Sequence, residues 1–166
     1  MRRLLRLLVP AVAAGTFASP ALAAVSVTYV KPDSYTDVRY RFEPDERVLT
    51  GIKEHLVQLG RKYLRDDQEL SIEVLDIDLA GRTNVSVLKP DLRVIVDQRG
   101  DWPRIRLRYR LETAGRVVAH GEETVSDPSF LSRVNLYPND DLLRYEKQML
   151  DDWFVQRIVK GRPASS

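Results

Sequence analysis

The chain has 166 residues, 43% of them hydrophobic, with 26 lysines and arginines against 24 aspartates and glutamates and no cysteine. The lack of cysteine excludes disulfides, thiolate metal sites, cysteine nucleophiles and a lipid-modified cysteine at the start of a mature chain. The near balance of charge excludes the broad basic field that marks a nucleic-acid partner.

Residues 1–23, MRRLLRLLVPAVAAGTFASPALA, read as a signal peptide. Arg2, Arg3 and Arg6 form a cationic start, Leu4 to Ala18 a short apolar run, and Ala21-Leu22-Ala23 a small-x-small cleavage site, with the cut expected after Ala23. Pro10 and Gly15 interrupt the apolar run, which falls below the roughly 18 residues of a membrane span. The Arg-Arg pair lacks the flanking residues of the twin-arginine route. A periplasmic or secreted product is expected, with no transmembrane segment once the leader is removed. The leader takes away three arginines and no acid, which leaves 23 basic against 24 acidic residues and turns +2 into −1. The remaining 143 residues suffice for one hydrophobic core, expected over 24–160, with 161–166 a flexible tail.

Val25 to Val30 alternates and is rich in β-branched residues, which predicts a first strand. A loop broken by Pro32 and Pro44 leads to a helix starting near Asp45. Along it Val48, Leu49, Ile52, Leu56, Leu59 and Tyr63 recur at spacings of three and four, and Arg61, Lys62 and Arg65 close it at the carbonyl end. Leu70 to Leu79 predicts a second strand whose apolar parity switches between Val74 and Leu75, the signature of a bulge. Leu92, Val94 and Val96 mark a third strand, turned by Gln98 to Asp101. RIRLRYRL, residues 104–111, is the fourth, and Val117 to Val125 the fifth.

If Thr113-Ala114-Gly115 forms a three-residue turn, Leu111 faces Val117, Arg108 faces His120 and Arg106 faces Glu122. A final helix is expected from Asn139 as N-cap, with Asp140 and Asp141 in its first turn and Leu142 to Ile158 supplying its apolar face, stopped by Gly161 and Pro163. The whole predicts an α+β fold: a mainly antiparallel sheet of four to five strands with two helices packed on one face, in the order β-α-β-β-β-β-α.

Four stretches together resemble a bacterial family known as domain-of-unknown-function family 3016: PDSYTDVR (Pro32 to Arg39), DIDLAGR (Asp76 to Arg82), PRIRLRYRL (Pro103 to Leu111) and RYEKQMLDDWF (Arg144 to Phe154). The resemblance implies a small, exported, single-domain protein and implies no activity.

Two groups of residues carry chemistry. Arg104, Arg106, Arg108 and Arg110 stand about 6.8 Å apart along one side of a strand. With Arg93 on a neighbouring strand they form either an anion-binding shelf, its forks suited to phosphate, or a solvated sheet face neutralised by Asp91, Glu112 and Glu122. Asp76 and Asp78, two apart on a strand, point the same way and are candidate ligands for a hard divalent cation, with Glu73 or His120 as helpers in a metal-dependent hydrolase. The competing reading has them accepting hydrogen bonds from the LAGR turn or pairing with Arg82.

His55 lies at the edge of an apolar stripe and reads as packing. His120 is a candidate base beside Glu122, but no nucleophile is tied to it by any motif. Tyr145, Trp153 and Phe154, with Trp102, read as core. Asn84-Val85-Ser86 matches a glycosylation sequon by coincidence. No catalytic set and no cofactor motif is complete. The reading is therefore a non-enzymatic binding or accessory module of the bacterial envelope, with an anionic envelope component or an envelope protein as partner and no nucleic acid.

Overall fold

A computed structural model describes residues 24–40, 43–83, 93–94 and 100–161. The expected leader, the sequon at Asn84, Asp91 and the end of the tail lie outside the described residues.

The elements run β1 (Ala24–Tyr29), a 3-10 turn (Pro32–Ser34), β2 (Arg39–Tyr40), β3 (Glu43–Pro44), α1 (Glu46–Tyr63), β4 (Gln68–Asp78), β5 (Arg82–Thr83), β6 (Arg93–Val94), β7 (Arg104–Thr113), β8 (Arg116–Ser126) and α2 (Arg144–Trp153), which continues as a π-helical turn (Phe154–Val159). Four strands form the sheet in the order β1-β4-β7-β8. β1 runs parallel to β4, joined through α1, and the other pairings are antiparallel, so the sheet is mixed. Among the described residues no helix is long and apolar enough to cross a membrane.

α1 starts where expected, with Asp45 as N-cap accepting the Arg47 amide at 3.0 Å. Its buried stripe, Val48, Leu49, Ile52, Leu56 and Leu59, packs on the sheet. Gly60 lets the helix approach β1 closely: a Cβ there would stand 2.0 Å from Val25 Cγ2.

The core also takes Leu70, Ile72, Val74 and Ile77 of β4 and Ile105, Leu107, Tyr109 and Leu111 of β7. The ladder between these strands slips between Val74 and Asp76, leaving Leu75 as the extra residue. The bulge at the predicted parity switch is thereby found, and it keeps Val74 and Ile77 on the same buried face.

Three expectations are corrected. The third strand, expected at Leu92 to Val96, is described only at Arg93–Val94, which pairs with β5 in a separate two-stranded ribbon and not with the main sheet. The hairpin turn has two residues, Ala114 and Gly115, both at positive φ (49° and 73°), as the twist of flanking strands favours. Val118 then stands unpaired between Glu112↔Val117 and Leu111↔Ala119. The shorter turn and the bulge each move the partners by one, so Arg108 faces Glu122 and Arg110 faces His120.

The last helix begins at Arg144 and not after Asn139. Asp141 accepts the Leu143 amide at 2.9 Å and the Lys147 ammonium at 2.6 Å, and so holds the turn that precedes the helix. Trp153 and Phe154 are both buried, with ring centroids 6.1 Å apart, so neither presents a surface aromatic.

Candidate functional site

The pleat of β7 sends Ile105, Leu107, Tyr109 and Leu111 to the core and the four arginines to the face that carries no helix. Their neighbours on that face are Asp78, Asp76, Glu73 and Ser71 on β4, and Ser126, Thr124, Glu122 and His120 on β8.

Each arginine meets a carboxylate. Arg104 donates from Nε to Asp78 Oδ2 at 2.9 Å and lies over the Trp102 ring, 5.1 Å from its centroid. Arg106 reaches only to 4.0 Å from Glu122. Arg108 bridges Glu73 at 2.6 Å and Glu122 at 2.9 Å, and the hydrogen bonds it donates to Glu122 and Glu73 raise its guanidinium above its ordinary value. Arg110 pairs with Glu112 at 2.8 Å. The face is therefore an interleaved ladder of both signs.

Arg106, Arg108 and Arg110 are all more than half exposed, and exposed ion pairs contribute about 0–1 kcal/mol each. A broad, open hollow of about 810 Å³ lies on this face, lined by Ser71, Glu73, Arg108, Arg110, His120 and Glu122. His120 is exposed there, across from Arg110. Arg93 is not on a strand beside β7, and its side chain lies outside the described residues.

Asp76 and Asp78 share this face but serve different partners. Asp76 accepts the Thr36 amide and the Thr36 hydroxyl, both at 2.8 Å, while Asp78 takes Arg104. Among the described residues no group of three or more histidines, aspartates and glutamates is arranged to hold a metal ion. The Arg82 side chain lies outside the described residues.

The stretch 76–82 also anchors the other three stretches singled out in the sequence: Thr36 on Asp76, Arg104 on Asp78, and Glu146 on the Ala80 amide at 2.8 Å.

A second polar group, not assembled from the sequence, lies in the helical layer. His55 is buried, with Nε2 2.9 Å from Asp151 Oδ1 and 3.1 Å from the Lys147 carbonyl oxygen, so this nitrogen donates to both. The Tyr137 hydroxyl donates to the other oxygen of Asp151 at 2.7 Å. Burial opposes the charge of Asp151, but the hydrogen bonds from His55 and Tyr137 hold its carboxyl below the usual aspartate value. Burial, then the hydrogen bond to Asp151, pushes the Tyr137 phenol well up. The one sequence signal was the spacing of Lys147 and Asp151, a single turn apart on α2; their meeting with His55 needs two helices to converge.

Comparison with solved structures gives protein XCC0632 from Xanthomonas campestris, of family DUF330, at 15% identity and a TM-score of 0.34, covering 87% of this chain and 86% of that one. No curated protein matches. A family model described as Protein of unknown function (DUF3016) matches residues 23–156, and the chain belongs to that family.

Proposed function

We propose that the protein is an exported, periplasmic or secreted, non-enzymatic binding or accessory module whose working surface is the helix-free face of the sheet, and whose ligand is a polyanion of the envelope. The observation that carries this reading is the open hollow in which Arg108, Arg110 and His120 stand together. Arg106, Arg108 and Arg110 are fixed by a strand, point one way and are more than half exposed, so anionic groups compete for their forks. The leader-like start of the chain supports export. The alternative, a metal-dependent hydrolase on Asp76 and Asp78, has less support, because Thr36 engages both oxygens of the first carboxylate and Arg104 holds the second.

The test compares the protein with an Arg108→Gln/Arg110→Gln variant in binding to phosphatidylglycerol vesicles and to a soluble polyuronate. The proposal expects saturable binding to one of them, weakened by added salt and lost in the variant. Equal binding by both proteins, or no binding to either probe, overturns it. The probe that binds distinguishes a lipid phosphate from an acidic glycan.

A further inference from the structure

The cleft between α1 and α2 has a volume of about 270 Å³ and lies in the helical layer, apart from the arginine face. Gly51, His55, Gln58 and Lys62 recur at three- and four-residue spacing and form one wall; Tyr137, Lys147 and Asp151 form the other. The second wall is internally matched, with Tyr137 on Asp151 and Lys147 on Asp141. The first wall is not. His55 Nε2 is fixed by Asp151 and the Lys147 carbonyl, whereas His55 Nδ1 and the Gln58 amide make no hydrogen bond among the described residues. The Lys62 ammonium rests near the Tyr63 ring, 4.8 Å from its centroid. The cleft is thus lined by a buried imidazole with one nitrogen unengaged, an amide and an ammonium.

We propose that this cleft is a binding site for a small oxyanion, a carboxylate or a phosphate, held by His55 Nδ1, the Gln58 amide and the Lys62 ammonium. His55 and Lys62 are seven residues apart, roughly 10.5 Å along the helix on one stripe, with Gln58 between them. With Asp151 on Nε2, a second proton on Nδ1 makes an imidazolium bracketed by two anions, and both hydrogen bonds become charge-assisted. The groups facing His55 are Glu54 and Lys62 on α1, Lys147 and Asp151 on α2, and Tyr137 and Asp141 before α2. Glu54 is the opposing charge on the α1 wall and is exposed to solvent.

The chain has two histidines, so ring nitrogen NMR reads the site directly, and a His120→Asn background leaves the His55 signals alone in the spectrum. Sodium phosphate and sodium acetate are titrated against sodium chloride of equal ionic strength. The expected result is a saturable shift of the His55 ring signals toward the doubly protonated pattern with phosphate or acetate. Lys62→Gln, at an exposed position that folding tolerates, weakens the apparent affinity about tenfold or more, and Glu54→Gln strengthens it. The anion with the lower Kd identifies the ligand class. A response that chloride reproduces, no saturable response to either anion, or an unchanged affinity in Lys62→Gln overturns the proposal.

Discussion

Glu146 accepts a hydrogen bond from the Ala80 amide at 2.8 Å, with its own side chain fully buried. This contact fastens α2 to the end of β4, where the chain leaves the sheet. Glu146→Ala removes the acceptor and leaves a buried amide unmatched, at a cost of about 1–3 kcal/mol. Glu146→Gln keeps an acceptor and is expected to lose less. Urea unfolding of the three proteins checks the order; equal stability of wild type and Glu146→Ala contradicts it.

Acid should unfold the protein through a small set of carboxyls. Asp45, Asp141, Asp151 and Glu123 are all held below their ordinary values: Asp45 chiefly by Arg47, and the other three by hydrogen bonds that outweigh burial, from Lys147 and the Leu143 amide, from His55 and Tyr137, and from Arg157 and Trp153 respectively. A carboxyl lowered on folding contributes stability that is fully present above its unfolded value and lost as pH falls through the folded one. Thermal midpoints are therefore expected to be level from neutral pH to about 5 and to fall below about 4. Glu123→Gln, which breaks the pair at 2.5 Å with Arg157, reduces stability at neutral pH and flattens the acid limb.

The hairpin places Ala114 at a φ of 49°, where a Cβ is unfavourable, next to Gly115 at 73°. Ala114→Asn creates the Asn-Gly pair that such two-residue turns prefer, and is expected to stabilise by about 0.5–1 kcal/mol. A lower denaturation midpoint in this variant contradicts the turn geometry.

Gly60→Ala forces a methyl against Val25, which has a side-chain atom 2.0 Å from the new position. Overpacking of this kind costs about 1–3 kcal/mol, and Val25→Ala in the same chain should recover part of it. Additive losses in a double-mutant cycle contradict close packing of α1 on β1.

Much of this fold is legible where the determinants are local. Asp45 before an apolar stripe announces α1, and the parity switch after Val74 announces the bulge in β4. The alternation of residues 104–111 correctly sorts arginines from core residues. What local pattern misses depends on a competing partner. Asn139 has the chemistry of an N-cap, yet Asp141, two residues on, captures the Leu143 amide and delays the helix. The hairpin register turns on whether Ala114 accepts a positive φ and on the bulge at Val118, neither of which apolar matching reveals. The carboxylates that interleave with the arginines include Glu73 and Asp78 of β4, brought alongside by pairing across more than two dozen residues of chain. The contact of His55 with Asp151 joins two helices at opposite ends of the sequence. Periodicity places His55 on the buried side of α1 but is silent on what it meets there.

The central claim is that the ligand surface lies on the helix-free face of the sheet. Mapping amide chemical-shift changes during titration with the anionic probe that binds tests it most directly. The account predicts the largest changes at Ser71, Glu73, Arg108, Arg110, His120 and Glu122, disappearing in Arg108→Gln/Arg110→Gln. Changes concentrated on α1 and α2, with those six residues unmoved, would contradict it.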